Sequence, residues 1–228
     1  MKSMMMSAAT LAALLCATAA TAHSEKHKPA GGAQQPATAA LAAPDAKGGT
    51  RDPLTYFTDL ELQTQDGRKV RFYSDMLQGR TVLINVIYTN CSDACPLITQ
   101  QLNDVRRRLP ELFGKQVHFI TLSSDPKRDT PKVLKQFAQK QNADVEGWTF
   151  LTGSKQNMDH ILKKLGMHSE QVEGHSTLLI AGNVAAKRWS KIRPDAPPLA
   201  VAERLTALVG EVGQPGQQDA AEAAPARP

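Results

Sequence analysis

The sequence predicts a mixed α/β sandwich, a central sheet with helices packed on both faces. Three observations support this. Residues 81–88 (Thr-Val-Leu-Ile-Asn-Val-Ile-Tyr) and 117–123 are nearly continuous apolar and β-branched runs, as strands covered on both sides require. Segments with apolar residues at helical spacing alternate with those runs. The order reads ββ, then βαβα, then βα, then ββα, which excludes an all-α or all-β domain.

Residues 59–64 and 69–72, split by Gln65-Asp66-Gly67-Arg68, read as a small leading hairpin. The 81–88 strand follows. Residues 94–112 then place Leu97, Ile98, Leu102, Val105 and Leu109 at helical spacing. After the 117–123 strand, Asp129-Thr130-Pro131 supplies capping residues and a first-turn proline ahead of Val133, Leu134 and Phe137. Asp125 and Arg128 are candidates for ordering a neighbouring loop through an ion pair. A short strand at 147–151 and a short helix at 157–165 come next, with Met158 and Met167 as packing residues. The last strands are expected at 177–180 and 184–190, joined at Ala181-Gly182-Asn183, before a helix at 198–209.

The ends differ in composition from this core. Lys2, an apolar stretch of ~13 residues and Ala20-Thr21-Ala22 read as a signal peptide over 1–22, too short for a spanning helix. Leu15 precedes Cys16, where lipidation needs a small residue. Residues 23–51 and 210–228 are rich in Ala, Pro, Gly and Gln and read as a disordered linker and tail, leaving 52–209 as one folded domain. The reading is of an exported, periplasmic, soluble chain. Its formal charge, +5 overall, lacks a concentrated basic and aromatic stripe, which argues against nucleic acid as a partner. Arg106, Arg107 and Arg108 fit a solvated helix face. No long apolar seam suggests a fixed oligomer, so a monomer is expected.

Once 1–22 are removed, Cys91 and Cys95 are the remaining cysteines. They follow the C-terminal end of a predicted central strand and open a helix, where ligands gather in open sheets. Unpaired amides and the helix dipole there favour a thiolate. Residues i and i+4 share one helix face, so a first turn holding both would permit a disulfide or two metal ligands. Three intervening residues separate this pair from the CxxC of ordinary thiol oxidoreductases. A structural disulfide is the bland alternative.

An imidazole commonly completes a soft-metal site with two thiolates. His23 and His27 lie in the mature N-terminal leader, His118 in a strand, and His160 and His168 in and after a short helix. His175 enters an apolar strand from a loop, and its spacing fits either a ligand or an ordinary loop histidine.

Two motifs and this histidine carry a resemblance. The segment Tyr88-Thr89-Asn90-Cys91-Ser92-Asp93-Ala94-Cys95-Pro96, the segment Ser123-Ser124-Asp125-Pro126-Lys127-Arg128-Asp129-Thr130-Pro131 and His175 together resemble the Sco/SenC family. Its members are exported thioredoxin-like proteins that act as copper chaperones in cytochrome c oxidase assembly. The resemblance covers essentially all of 52–209. It implies a thioredoxin-like central mixed β-sheet flanked by helices, with an N-terminal β-hairpin extension. It also implies copper, as Cu(I) or Cu(II), bound by Cys91, Cys95 and His175.

The partners implied are a cytochrome oxidase copper-site subunit or another cuproprotein, together with copper chaperones or thiol reductants. A metallochaperone is expected rather than an enzyme. The alternative is an exported thiol-disulfide oxidoreductase or thiol peroxidase independent of copper, with Cys91 and Cys95 as its catalytic residues. Two positions depart from pattern: Ser92 replaces a frequent proline, and Ser176 stands near the place where thioredoxin-like redox enzymes carry a cis-proline. A cleaved leader replaces the membrane helix of many members.

Overall fold

The structure, a computed structural model, describes residues 53–210. The expected signal peptide, linker and tail, with Cys16, His23 and His27, lie outside the described residues. In chain order the elements are α1 (Pro53–Phe57), β1 (Glu61–Thr64), β2 (Lys69–Arg71), a π-helical turn (Phe72–Leu77), β3 (Thr81–Ile87) and α2 (Ala94–Arg107). β4 (Val117–Ser123), α3 (Pro131–Lys140), β5 (Trp148–Thr152) and α4 (Lys155–Leu165) follow. A 3-10 turn (Val172–Gly174), β6 (Leu179–Asn183), β7 (Arg188–Ile192) and α5 (Pro198–Gly210) complete the described chain.

The described strands form one seven-stranded mixed sheet in the order β2-β1-β5-β4-β3-β6-β7. β3, β4 and β5 are parallel, while β6 joins β3 and β1 joins β5 in antiparallel fashion. The expected leading hairpin is β1–β2, on the edge beyond β5.

All of β3 is buried because alternate side chains enter different cores. Leu83 and Ile87 face one core with Leu102 and Val105 of α2, Leu134 and Phe137 of α3, and Leu205 of α5. Val82, Ile84 and Val86 face the other with Met158, Ile161 and Leu162 of α4 and the π-turn residues Phe72 and Leu77. Both expected packing methionines are buried there. The strands' two-residue period thus places the three parallel C-terminal ends, and the loops that follow them, between two helical layers.

Helix ends follow local chemistry. The Thr130 hydroxyl accepts from the Val133 amide at 3.4 Å, with Pro131 opening α3. Ser154 caps α4 likewise, and Gly166, at φ 68°, closes it in the left-handed conformation. α2 stops at Arg107 rather than reaching residue 112, because Pro110 lacks the amide a longer helix needs. Leu109 still reaches the core from the turn that follows.

The final hairpin also departs from expectation. β6 continues through Asn183, and the turn falls on 184–187, not on Ala181-Gly182-Asn183. Gly182 pairs directly with Trp189, whose ring lies across the glycine. Asn183 ends the strand, donating to the Leu208 carbonyl at 2.6 Å and accepting from the Ala186 amide at 3.0 Å. Glycine is therefore needed for close approach of an indole, not for a turn.

A Cβ at Gly182 would meet the Trp189 ring at 2.1 Å. Gly182→Ala should therefore lower unfolding stability by about 2 kcal/mol in urea titrations, the middle of the range for overpacking. Retention of full stability would contradict this packing.

Candidate functional site

The site begins where β3 ends. Tyr88 and Thr89 leave the sheet, the chain turns through Asn90, and Cys91 lies in the loop before α2. Cys95 lies in the first turn of α2, so the pair does not share the helix face that a first turn holding both would have made. The sulfur of Cys91 comes to the helix instead. Asp93, at the N-cap position, makes no side-chain cap hydrogen bond, and the Cys95 amide donates to Cys91 Sγ at 3.4 Å. A sulfur thus satisfies one of the amides that a helix start leaves unpaired.

The two cysteines are free and differ in environment. Cys91 is partly exposed; Cys95 is 2% exposed. Burial alone would raise the Cys91 thiol. Hydrogen bonds from the Cys95 thiol, the Cys95 and Asp93 amides and the Tyr88 hydroxyl outweigh burial, and the net shift is downward. Burial, then the hydrogen bond to Cys91, pushes Cys95 up to about 12. The Tyr88 hydroxyl's own hydrogen bond to Cys91, with burial adding to it, raises that hydroxyl to about 12, keeping it a donor. Negative charge is therefore favoured on Cys91 over its two neighbours, Cys95 and Tyr88.

Asp129 fixes this loop. It is 1% exposed and accepts from the Thr89 amide at 3.2 Å, the Thr89 hydroxyl at 2.5 Å and the Ser123 hydroxyl at 2.6 Å. Burial raises its carboxyl, and the hydrogen bonds from Ser123 and Thr89 partly oppose the rise. Sequence reasoning placed Asp129 among the helix-capping residues, but Thr130 performs that task. Asp125 and Arg128 pair with each other at 3.0 Å. The signal for Asp129 was its place just beyond a buried strand that runs parallel to the cysteine strand.

His175 follows the 3-10 turn and is 8% exposed, its ring packed edge-on against Tyr88 with centroids 5.8 Å apart. Its Nδ1 lies 3.1 Å from the Ser176 carbonyl. A carbonyl only accepts, so Nδ1 carries the proton and Nε2 of the neutral ring keeps a free lone pair. Burial lowers the imidazole pKa, against smaller opposing effects of the Ser176 carbonyl and Glu173.

Tyr88 thus touches both the cysteine pair and the histidine. Cys91 and Cys95 are together, whereas His175 reaches them through Tyr88. Among the described residues no three His, Cys, Asp or Glu side chains form a group that would already hold a metal ion. The donor chemistry nevertheless suits a soft ion: two sulfurs in contact and a neutral imidazole on the adjoining loop. The other described histidines lie elsewhere. His118 is in β4, His160 is exposed on α4, and His168 Nε2 is 3.7 Å from Asp159.

Two outcomes follow. Iodoacetamide at neutral pH should alkylate Cys91 well ahead of Cys95, with a pH midpoint for Cys91 below that of a free thiol. Equal labelling, or a midpoint above a free thiol's, would contradict the assigned proton positions. Asp129→Ala leaves three donors without their acceptor and should cost about 2 kcal/mol or more in urea unfolding. It should also erase the preference for Cys91; an unchanged labelling ratio would show that the loop does not depend on Asp129.

A family model described as SCO1/SenC matches residues 49–208. The SCO1 protein homolog of Bacillus subtilis is 37% identical over 108 residues, covering 47% of this chain and 54% of its own. A SCO2-like protein of Rickettsia felis is 31% identical over 119 residues, covering 51% and 54%. The chain spans about half the length of these curated relatives. Among solved structures, BsSco is described as a member of the Sco family of cytochrome c oxidase assembly proteins with a disulfide switch. It superposes with a TM-score of 0.58 at 26% identity, over 68% of this chain and 93% of that one. ScoI of Bradyrhizobium japonicum, solved with copper bound, gives 0.54 at 23% identity over 65% and 96%, a likeness of fold. With the sheet order, the cysteine loop and the match over 49–208 in agreement, the chain belongs to the SCO1/SenC family.

Proposed function

We propose that this protein carries copper for the assembly of a respiratory oxidase copper site, with Cys91, Cys95 and His175 as its ligands. The observation that carries the reading is the pairing of a partly exposed Cys91, its thiol pKa lowered, with a buried Cys95 thiol. A neutral imidazole stands one aromatic ring away. Two soft sulfurs and one nitrogen suit Cu(I), and Cu(II) would call for a fourth donor or water. Relatives support it: one structure is of a cytochrome c oxidase assembly protein and another holds copper.

The ion is cargo. The residues' tasks are to present a thiolate, to yield the Cys95 proton on loading, and to bring His175 Nε2 alongside by a shift of the 3-10 turn and its loop. Three donors leave a position open through which a recipient's soft ligands enter. If an external oxidant takes two electrons from the pair, with the protons the sulfurs still carry, the resulting disulfide leaves no thiolate ligand, so loading and the disulfide exclude each other.

A second reading has its own observation. A partly exposed thiol of lowered pKa backed by a buried protonated one is the arrangement of an attacking and a resolving cysteine. Reduction of the recipient's cysteines before copper delivery fits the same pair. A copper-independent oxidoreductase would work without His175. Export, with 1–22 removed, 23–51 a linker and 210–228 a tail around one soluble periplasmic domain, belongs to the same proposal. No helix among the described residues is long and apolar enough to cross a membrane.

Anaerobic competition for Cu(I) by the reduced chain lacking 1–22 should give one copper per chain. Cys91→Ser, Cys95→Ser and His175→Ala should each weaken it by at least about tenfold, since loss of an outer-sphere partner alone costs that much. Unchanged affinity in any variant removes that residue from the ligand set. Because the His175 pKa is lowered, the imidazole stays neutral down to below the ordinary value of 6.5, and retention should persist through that pH before falling. A loss centred above 6.5 would contradict the buried neutral ring.

A further inference from the structure

A groove leads away from the exposed side of Cys91. Cys91 and Pro96 form its mouth, and Val133, Gln136, Phe137 and Lys140 of α3 line its length. The α3 residues recur at three- and four-residue spacing, so they are one continuous stripe of the helix. Lys132 lies on the same ridge, one turn before Gln136.

The charge along this stripe has one sign. α3 carries Lys132, Lys135 and Lys140 and no acid. Lys135 is occupied by Asp66 and Asp144, both at 2.8 Å. Lys132 and Lys140 are exposed and have no carboxylate partner among the described residues. Across the groove, Asn103 of α2 holds the Gln141 carbonyl at 2.8 Å, and Arg106 is clamped to Asn103 at 2.8 Å and to the Asn142 carbonyl at 3.3 Å. That places a third cation near the far end. Of the acids nearby, Asp129 is buried on Thr89 and Ser123 and Asp104 is paired with Arg107, while Asp93 stands exposed at the mouth beside Cys91. At the mouth, Leu97 is 62% exposed one position beyond Pro96.

We propose that this groove receives an extended, acidic, cysteine-bearing segment of the protein with which Cys91 exchanges copper or a disulfide. The inference rests on the proposed function and deepens it by naming the partner's chemistry. Val133 and Phe137 take the segment's apolar side, Lys132 and Lys140 take its carboxylates, and the line of the groove delivers its sulfur to Cys91. Buried Cys95 is reached only after Cys91.

The test uses two short peptides, Asp-Glu-Cys-Glu-Asp and Lys-Arg-Cys-Arg-Lys, each with its cysteine as a mixed disulfide to thionitrobenzoate. Cys91 thiolate bonds to the peptide sulfur while the peptide–thionitrobenzoate bond breaks, and thionitrobenzoate leaves with the electron pair. Its colour gives the rate on the reduced mature chain. At low salt the acidic peptide should react about tenfold faster than the basic one, and salt should shrink the ratio. The Lys132→Glu, Lys140→Glu double variant should bring the ratio to one or below with its Cu(I) affinity unchanged. Equal rates in the unaltered chain, or a preference that survives the double variant, would overturn the groove assignment. Cu(I) affinity, read separately, decides the underlying copper reading. Seating of a second copy would instead appear as a concentration-dependent dimer that slows both peptides, which would also overturn the proposal.

Discussion

The buried carboxylate of Asp129 is the constraint on which the site depends. β3 and β4 run parallel, so the loops that leave them start side by side. Asp129, reached from β4, grips both the amide and the hydroxyl of Thr89, reached from β3, and the Ser123 hydroxyl steadies it. Thr89 stands two residues before Cys91. Without that grip the cysteine loop would have little to define it, because Asp93 gives α2 no side-chain cap. A buried carboxylate with three donors is costly to disturb from any side, so it holds the cysteine loop in one shape.

With the loop fixed, unequal burial does the chemical sorting. The amide at the start of α2 and the Tyr88 hydroxyl favour charge on Cys91, while the interior disfavours it on Cys95. One sulfur therefore meets incoming molecules, and the other waits with its proton. Tyr88 couples this pair to His175 by contributing a hydroxyl to one and a ring face to the other. His175 stands near the two sulfurs without joining them in one donor group among the described residues, so the proposed copper role requires its loop to move inward.

Much of the fold was legible because burial on two faces leaves a plain mark. The unbroken apolar run of β3 and the helical spacing of α2, α3 and α4 each had one consistent reading. Errors came where one residue type serves two purposes. Gly182 and Asn183 look like a turn, but the glycine makes room for Trp189 and the asparagine ties the strand end to α5. The π-helical turn at Phe72–Leu77 and the short α1 were not foreseen, since neither is long enough to show a period. At the site, spacing drew attention to both cysteines, and family resemblance to His175. The roles of Tyr88 and Asp129 depend on contacts between distant segments, which no local pattern records. The lysines of α3 carried no signal by themselves, because their alignment with the groove from Cys91 exists only in the packed helices.

The central claim is that two sulfurs and one imidazole converge on a single copper ion. X-ray absorption at the copper edge of the Cu(I)-loaded, reduced protein measures that directly. Two sulfur neighbours and one imidazole nitrogen, with the nitrogen lost in His175→Ala, is the predicted result. A copper surrounded by sulfur alone, unchanged by that substitution, would contradict it and leave Cys91 and Cys95 as a redox pair without the histidine.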